Sequence, residues 1–233
     1  MWEPWTGCYK CSEGCTYCYY YGEYSKRHGM AVVRTDDFYR PLEMKSKNKY
    51  KIESGRNVAT CFTTDFFLPE ADEWRIEAWE IIKKRSDLEF MFLTKRINRF
   101  NISLPDDWGD GYNNVTIGCT CENQEMLDYR LPLFLSLPIK KKFLCLTPLL
   151  SEIDLTKYDI SGIEQITVGG ESGREARECH FDWILNIREQ CVNKGIKFWF
   201  KCTGSRFVKD GILEKVGPRI QHTKAREFGL NIE

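Results

Sequence analysis

Histidine is nearly missing from this 233-residue chain. The 3 present, His28, His180 and His222, show neither metal-ligand spacing nor a recognisable nucleophile–base arrangement, so each reads as structural. Net charge is missing as well. Lys+Arg and Asp+Glu balance at 34 each, which announces no strongly basic nucleic-acid groove but leaves room for a local patch. No apolar run reaches the roughly 18 residues of a membrane-spanning helix, so no membrane partner is expected. There is no P-loop, and Gly169 to Gly173 does not fit the dinucleotide fingerprint G-x-G-x-x-G. The opening Met1-Trp2-Glu3-Pro4 has neither the basic start nor the apolar run of a secretory leader. A cytoplasmic location with reduced thiols is the expectation.

Cysteine, by contrast, is abundant. The count is 11, an odd number that excludes a fully paired intramolecular disulfide set. Four fall close together, Cys8, Cys11, Cys15 and Cys18, while Cys61, Cys119, Cys121, Cys145, Cys179, Cys191 and Cys202 are scattered. The cluster is the candidate for chemistry, and the scattered thiols read mostly as small hydrophobes in apolar segments.

Behind the cluster, short β-rich runs alternate with helical patterns. The runs are Val58 to Phe62, Phe90 to Leu93, Val115 to Cys119, Phe143 to Leu146, Ile166 to Val168 and Ile196 to Phe200. They recur roughly every 25–30 residues, the length of a strand with its returning helix. Pro69 to Arg85 puts Ala71, Trp74, Ala78, Ile81 and Ile82 on one helical face. Phe181 to Lys194 does the same with Ile184, Ile187, Cys191 and Val192, then stops at Gly195. Gln124 to Leu137 reads helical, with Pro132 bending or dividing it. The alternation predicts an α/β fold, a partial (β/α) barrel of about six to seven parallel strands, the seventh entering the Cys8 loop. A doubly wound sheet is the alternative. Lys45 to Arg56 reads as a polar surface loop. The expected division is 1–204 as the barrel with its N-terminal cysteine loop and 205–233 as a mildly basic C-terminal extension.

The cysteine segment runs Gly7-Cys8-Tyr9-Lys10-Cys11-Ser12-Glu13-Gly14-Cys15-Thr16-Tyr17-Cys18-Tyr19. It contains two ligand sets, C-x3-C-x2-C from Cys11, Cys15 and Cys18, and C-x6-C-x2-C from Cys8, Cys15 and Cys18. Closely spaced thiolates suit a cubane iron–sulfur cluster, whose irons favour soft sulfur ligands. Three ligands on four irons leave one iron open for chemistry. The competing reading is a four-cysteine zinc site, a non-catalytic module for nucleic-acid or protein contacts. Zinc ligand pairs usually come from two separated turns, whereas all four thiols here crowd into one short segment.

The spacing C-x3-C-x2-C followed by an aromatic resembles the signature of the radical S-adenosylmethionine (SAM) superfamily. The chain as a whole resembles the phage Gp37/Gp68-like family (DUF5131). The matching stretches are Trp5-Thr6-Gly7-Cys8 through Cys18-Tyr19; Phe62-Thr63-Thr64-Asp65-Phe66-Phe67; Leu93-Thr94-Lys95-Arg96; Glu122-Asn123-Gln124 with Asp128-Tyr129-Arg130; Pro148-Leu149-Leu150; Val168-Gly169-Gly170-Glu171-Ser172-Gly173; and Phe200-Lys201. The family pattern favours Cys8 as first ligand, and the superfamily spacing favours Cys11. The resemblance implies a [4Fe-4S] cluster, SAM as a small-molecule partner, and a reductant of the flavodoxin or ferredoxin kind. It also implies an enzyme that cleaves SAM reductively to a radical. Phage association makes a nucleotide or nucleic acid a conceivable substrate class.

In a parallel barrel, functional groups gather at the C-terminal ends of the strands. That rule, with the superfamily resemblance, nominates Thr63, Thr64 and Asp65 for the methionine amino group and Lys95, or its neighbour Arg96, for the SAM carboxylate or an anionic substrate. Glu122 is nominated for ribose hydroxyls, with Asn123 capping the next helix. Glu171 is assigned to the ligand cavity, where Gly169 and Gly170 would let backbone approach a ligand. Lys201 and Cys202 end the last strand, where both could face the bound cofactor or substrate, Cys202 reading rather as inert packing. Tyr19 offers an aromatic face for adenine.

Overall fold

The computed structural model describes Met1–Glu233, apart from the side chains of Glu23 and His28; the reading of His28 as structural lies outside the described residues. Six strands make one sheet: β1 (Asn57–Thr60), β2 (Glu89–Thr94), β3 (Val115–Thr120), β4 (Lys141–Leu146), β5 (Gln165–Gly169) and β6 (Lys197–Cys202). Each strand lies beside its neighbour in sequence, from β1 through to β6. A doubly wound sheet reverses its order at a switch point; this one does not, and its parallel strands follow the order of a partial (β/α) barrel. Registers include Asn57 opposite Glu89, Phe143 opposite Gln165 and Lys197 opposite Gln165. The strand expected to enter the Cys8 loop, Trp5–Thr6, pairs antiparallel with Val33–Arg34 instead and stays outside this sheet. Only Trp2 adds a parallel bridge, to Thr60.

Burial along each strand follows its place in the sheet. The inner strand β3 is buried at five of its six positions. The edge strand β6 alternates exposed and buried residues throughout, so Phe198, Phe200 and Cys202 face inward and Lys197, Trp199 and Lys201 face out.

Four helices carry labels: α1 (Asp72–Lys84), α2 (Gln124–Ser136), α3 (Phe181–Lys194) and α4 (Gln221–Glu227). The expected apolar face is buried at Ala71, which sits in a preceding 3-10 turn, and at Ala78, Ile81 and Ile82 of α1. Trp74 is only half-buried, and Arg75 and Trp79 are buried beside that face instead. Trp79 turns inward because aromatic rings surround it: Phe66 and Trp108 each have their centroids 4.9 Å away. Arg75 tolerates burial because its guanidinium donates to Phe66 O, Leu68 O and Ile102 O and pairs with Asp72. Pro132 lies inside α2 without dividing it. Helix α3 ends at Gly195 as expected, with φ +65° and its N–H bonded to the Cys191 and Val192 carbonyls. Val192 itself, expected on the apolar face, is 52% exposed, because the buried positions are Ile184, Ile187 and Cys191.

The stretch 45–56 is more ordered than a loop: Met44–Ser46 and Lys49–Tyr50 form an exposed antiparallel pair. The segment after residue 205 builds a hairpin, Arg206–Lys209 with Ile212–Lys215, whose first strand pairs parallel with Cys179–His180. Phe207, Val216 and Ala225 from this segment are buried, and three of its basic side chains are paired, Arg206 with Glu178, Lys209 with Asp210 and Lys224 with Glu214.

The chain divides into two compact units. The first comprises Met1–Cys11, Tyr20–Gly118 and Leu137–Lys141 and has an aromatic core, in which Phe66 stacks on Phe92 at 4.4 Å and 13°. The second comprises Ser12–Tyr19, Cys119–Ser136 and Lys142–Glu233, and its core mixes aliphatic residues with the buried thiols of Cys119, Cys121, Cys145, Cys179, Cys191 and Cys202. Among the described residues, no helix is long and apolar enough to cross a membrane.

Candidate metal centre

In the first unit, the chain leaves Trp5–Thr6 and turns at Gly7, whose φ of +93° and surroundings both demand glycine. A Cβ there would sit 2.2 Å from the Ala31 carbonyl oxygen. The Thr64 hydroxyl donates to the Gly7 carbonyl. Cys8 is half-buried with its sulfur 3.7 Å from the Tyr9 carbonyl oxygen, and Cys11 is exposed. Tyr9, between them, is held by Arg96. Its Nη2 donates to Tyr9 O at 2.7 Å, and the guanidinium carbon lies 4.6 Å from the Tyr9 ring centroid.

Arg96 is itself fixed by Asp65, at 3.1 Å. Asp65, 4% exposed, also accepts from Thr94 Oγ1 at 2.8 Å, Lys95 N at 3.0 Å and Phe67 N at 3.0 Å. Burial alone would lower the Arg96 pKa; the negative charges of Asp65, Cys11 and Cys8 outweigh it and raise the pKa. Thr63 is engaged with Glu3, which accepts from its N–H at 3.3 Å and its hydroxyl at 2.9 Å. Burial pushes the Glu3 carboxyl up, against those hydrogen bonds. The segment Thr63-Thr64-Asp65 lies beyond Cys61 and Phe62, past the end of β1 at Thr60, and its side chains bond to this unit's own groups. Lys95 is half-buried beyond the end of β2.

In the second unit, residues 12–19 form a compact turn. Glu13–Cys15 is a 3-10 helix; Cys15 N donates to Ser12 O at 3.0 Å and Cys18 N to Cys15 O at 3.4 Å. Gly14 N donates to Glu122 Oε1 at 3.1 Å, and a Cβ on Gly14 would fall 2.9 Å from the Glu122 carboxyl carbon. Glu122, which follows β3, is fully buried and accepts from Arg130 at 2.8 Å; Arg130 also donates to Thr120 O at 2.7 Å. Asn123 caps α2 as expected, accepting from Met126 N at 2.9 Å, while its amide donates to Glu13 at 3.0 Å.

Glu171, following β5 and 5% exposed, accepts from the N–H, Nε and Nη2 of Arg177, at 2.9, 2.9 and 2.7 Å. Arg177 in turn donates to the Glu13 carboxylate at 3.1 Å and carbonyl at 3.2 Å, and lies 5.3 Å from the Tyr17 ring centroid. Tyr19 is 58% exposed. Gly169 and Gly170, expected to admit a ligand, instead admit the neighbouring strand end. A Cβ on Gly170 would lie 2.3 Å from Thr203 O, and Gly170 N donates to Cys202 O at 3.0 Å. Lys201 is exposed and Cys202 buried, on opposite faces of β6; the Cys202 thiol donates to Gly170 O at 3.7 Å. His222 Nδ1 is 2.8 Å from Lys201 O, and the His180 ring lies 4.4 Å from that of Trp183.

Sequence reasoning found the carboxylates but missed their partners. Arg177 stands six residues after Glu171 with no helical or strand period to connect them, and Glu3 and Glu13 carry no motif. Arg96, nominated beside Lys95 for an anion, is instead engaged by Asp65 and the Tyr9 carbonyl.

Among the described residues, no three His, Cys, Asp or Glu side chains are grouped so as to hold a metal ion. Four cysteines lie between residues 8 and 18, and Cys15 and Cys18 are joined by a hydrogen-bonded turn, Cys18 N to Cys15 O; closely spaced cysteines are the donor type that soft metals and iron–sulfur clusters take. No curated protein and no solved structure matches the chain. The profile of one family, described as protein of unknown function (DUF5131), matches residues 1–229, and the chain belongs to that family.

Proposed function

We propose that the protein is a radical SAM enzyme whose cysteine loop ligates a [4Fe-4S] cluster through Cys15, Cys18 and either Cys11 or Cys8. One observation carries this reading. The loop that bears the ligand spacing is tied, in each unit, to polar residues in the segments that follow parallel strands. Tyr9 is bonded to Arg96 and through it to Asp65; Gly14 is bonded to Glu122; Glu13 is bonded to Arg177, which Glu171 holds. Those strand ends are where parallel barrels carry chemistry.

When bound and reduced, a [4Fe-4S] cluster with one open iron supplies the electron that cleaves SAM to methionine and a 5′-deoxyadenosyl radical. The chain's own residues do the rest. Asp65, Glu122 and Glu171 are spent on orienting the loop and act as positioning residues in this reading. The exposed Tyr19 ring offers a flat face for adenine, and the Lys95 ammonium complements a carboxylate. Thr63 and Thr64 fix the backbone following β1. A nucleotide or nucleic acid is the substrate class to assay first, since a small ligand needs no basic net charge.

The test is anaerobic reconstitution with iron and sulfide, then dithionite and SAM. The wild type is expected to release 5′-deoxyadenosine, and Cys15→Ala and Cys18→Ala to release none. A chain that takes up one zinc and no sulfide would instead establish the non-catalytic metal module.

A further inference from the structure

Arg96 is a buried cation, 6% exposed. Its guanidinium bonds to Asp65 and to the Tyr9 carbonyl and packs on the Tyr9 ring. Tyr9 stands between Cys8 and Cys11, the two candidates for first ligand. A guanidinium that only balanced Asp65 would have no need to reach the loop. This one spends Nη1 on the carboxylate at 3.1 Å and Nη2 on the Tyr9 carbonyl at 2.7 Å, while its face packs on the Tyr9 ring. Asp65 shares its own charge with three further donors, Thr94 Oγ1, Lys95 N and Phe67 N. The pair is therefore polarised, with its positive end toward the Cys8–Cys11 segment.

We propose that Arg96 is a positioning residue of the cysteine loop: it anchors the Cys8–Cys11 segment through Tyr9 and sets a permanent positive charge beside the first cluster ligand. The proposal rests on the cluster reading for its second half only. A cation near the thiolates favours the reduced, more negative state of a cluster, because net charge and hydrogen bonding around the sulfurs set its potential. Arg suits the task better than Lys, since its fork reaches a carboxylate and a carbonyl at once and keeps its proton under all working conditions.

Two arms test it. Arg96→Gln alone leaves Asp65 buried without its cation and risks misfolding, so the Asp65→Asn/Arg96→Gln double variant and Arg96→Lys are compared with the wild type. The first arm uses cluster-free protein and follows trypsin cleavage after Lys10, which lies in the anchored segment. Loss of a charge-assisted hydrogen bond predicts about tenfold faster cleavage there in the double variant; an unchanged rate would overturn the anchor. The second arm measures the midpoint potential of reconstituted protein. The double variant should be harder to reduce than the wild type, with Arg96→Lys closer to the wild type; equal potentials in wild type and double variant would overturn the charge. A wild type that takes up no iron sinks the enzyme reading and the charge half together, and the trypsin arm still decides the anchor.

Discussion

Glu122 shows what the buried carboxylates contribute. It is fully enclosed, accepts from the Gly14 N–H, and is bonded to Arg130. Glu122→Ala strands the Arg130 guanidinium in the interior, so we expect a loss of about 3 kcal/mol in urea unfolding, in the range for removing one partner of a buried pair. Asp87 gives a pH signature. Arg85, first, and Ser54 bond its carboxylate and hold its pKa at about 2, below the ordinary 3.8. A depressed carboxylate contributes stability that is present above its unfolded pKa and lost as pH falls through the folded one. Acid unfolding should therefore show a component between about 3.8 and about 2 that Asp87→Asn removes. That Glu122 and Glu171 stand just past strands was legible in the sequence, because each comes within three residues of the end of an apolar run. Their partners were not, because a pairing such as Glu171 with Arg177 is made by an irregular turn, which leaves no period to read.

Among the elements, all six strands of the sheet were legible, since short β-rich runs at a steady interval admit few other readings. The helical faces were less so. Helical spacing nominated Trp74, yet Trp79 is 1% exposed among rings contributed by distant segments, and a one-dimensional pattern does not contain those neighbours. Trp79→Ala should cost about 3–5 kcal/mol, as truncation of a buried aromatic does. Val192→Ala, at a position that is 52% exposed, should stay within about 0.5 kcal/mol. Equal losses would mean that the faces of α1 and α3 are misassigned. Gly7 is an element-scale device as well, for it lets the chain pass against Ala31 before the cysteines. Gly7→Ala should destabilise by about 2 kcal/mol or more, because the new Cβ meets both a backbone oxygen and an unfavourable φ.

At the scale of the whole molecule, the sequential strand order separates a partial barrel from a doubly wound sheet, a choice that the sequence alone left open. The last 29 residues could not be read as structure from composition; their buried Phe207, Val216 and Ala225 emerge only when the hairpin and α4 are formed. The cysteine cluster is legible as a pattern because its spacing is local. The residues that hold it were not, because they come from strand ends far along the chain. The most direct test is the electron paramagnetic resonance spectrum of the reconstituted, reduced protein with and without SAM. An open iron predicts a four-iron, four-sulfide cluster whose signal changes when SAM is added and is missing from Cys15→Ala and Cys18→Ala. A signal indifferent to SAM, or zinc in place of the cluster, would contradict it.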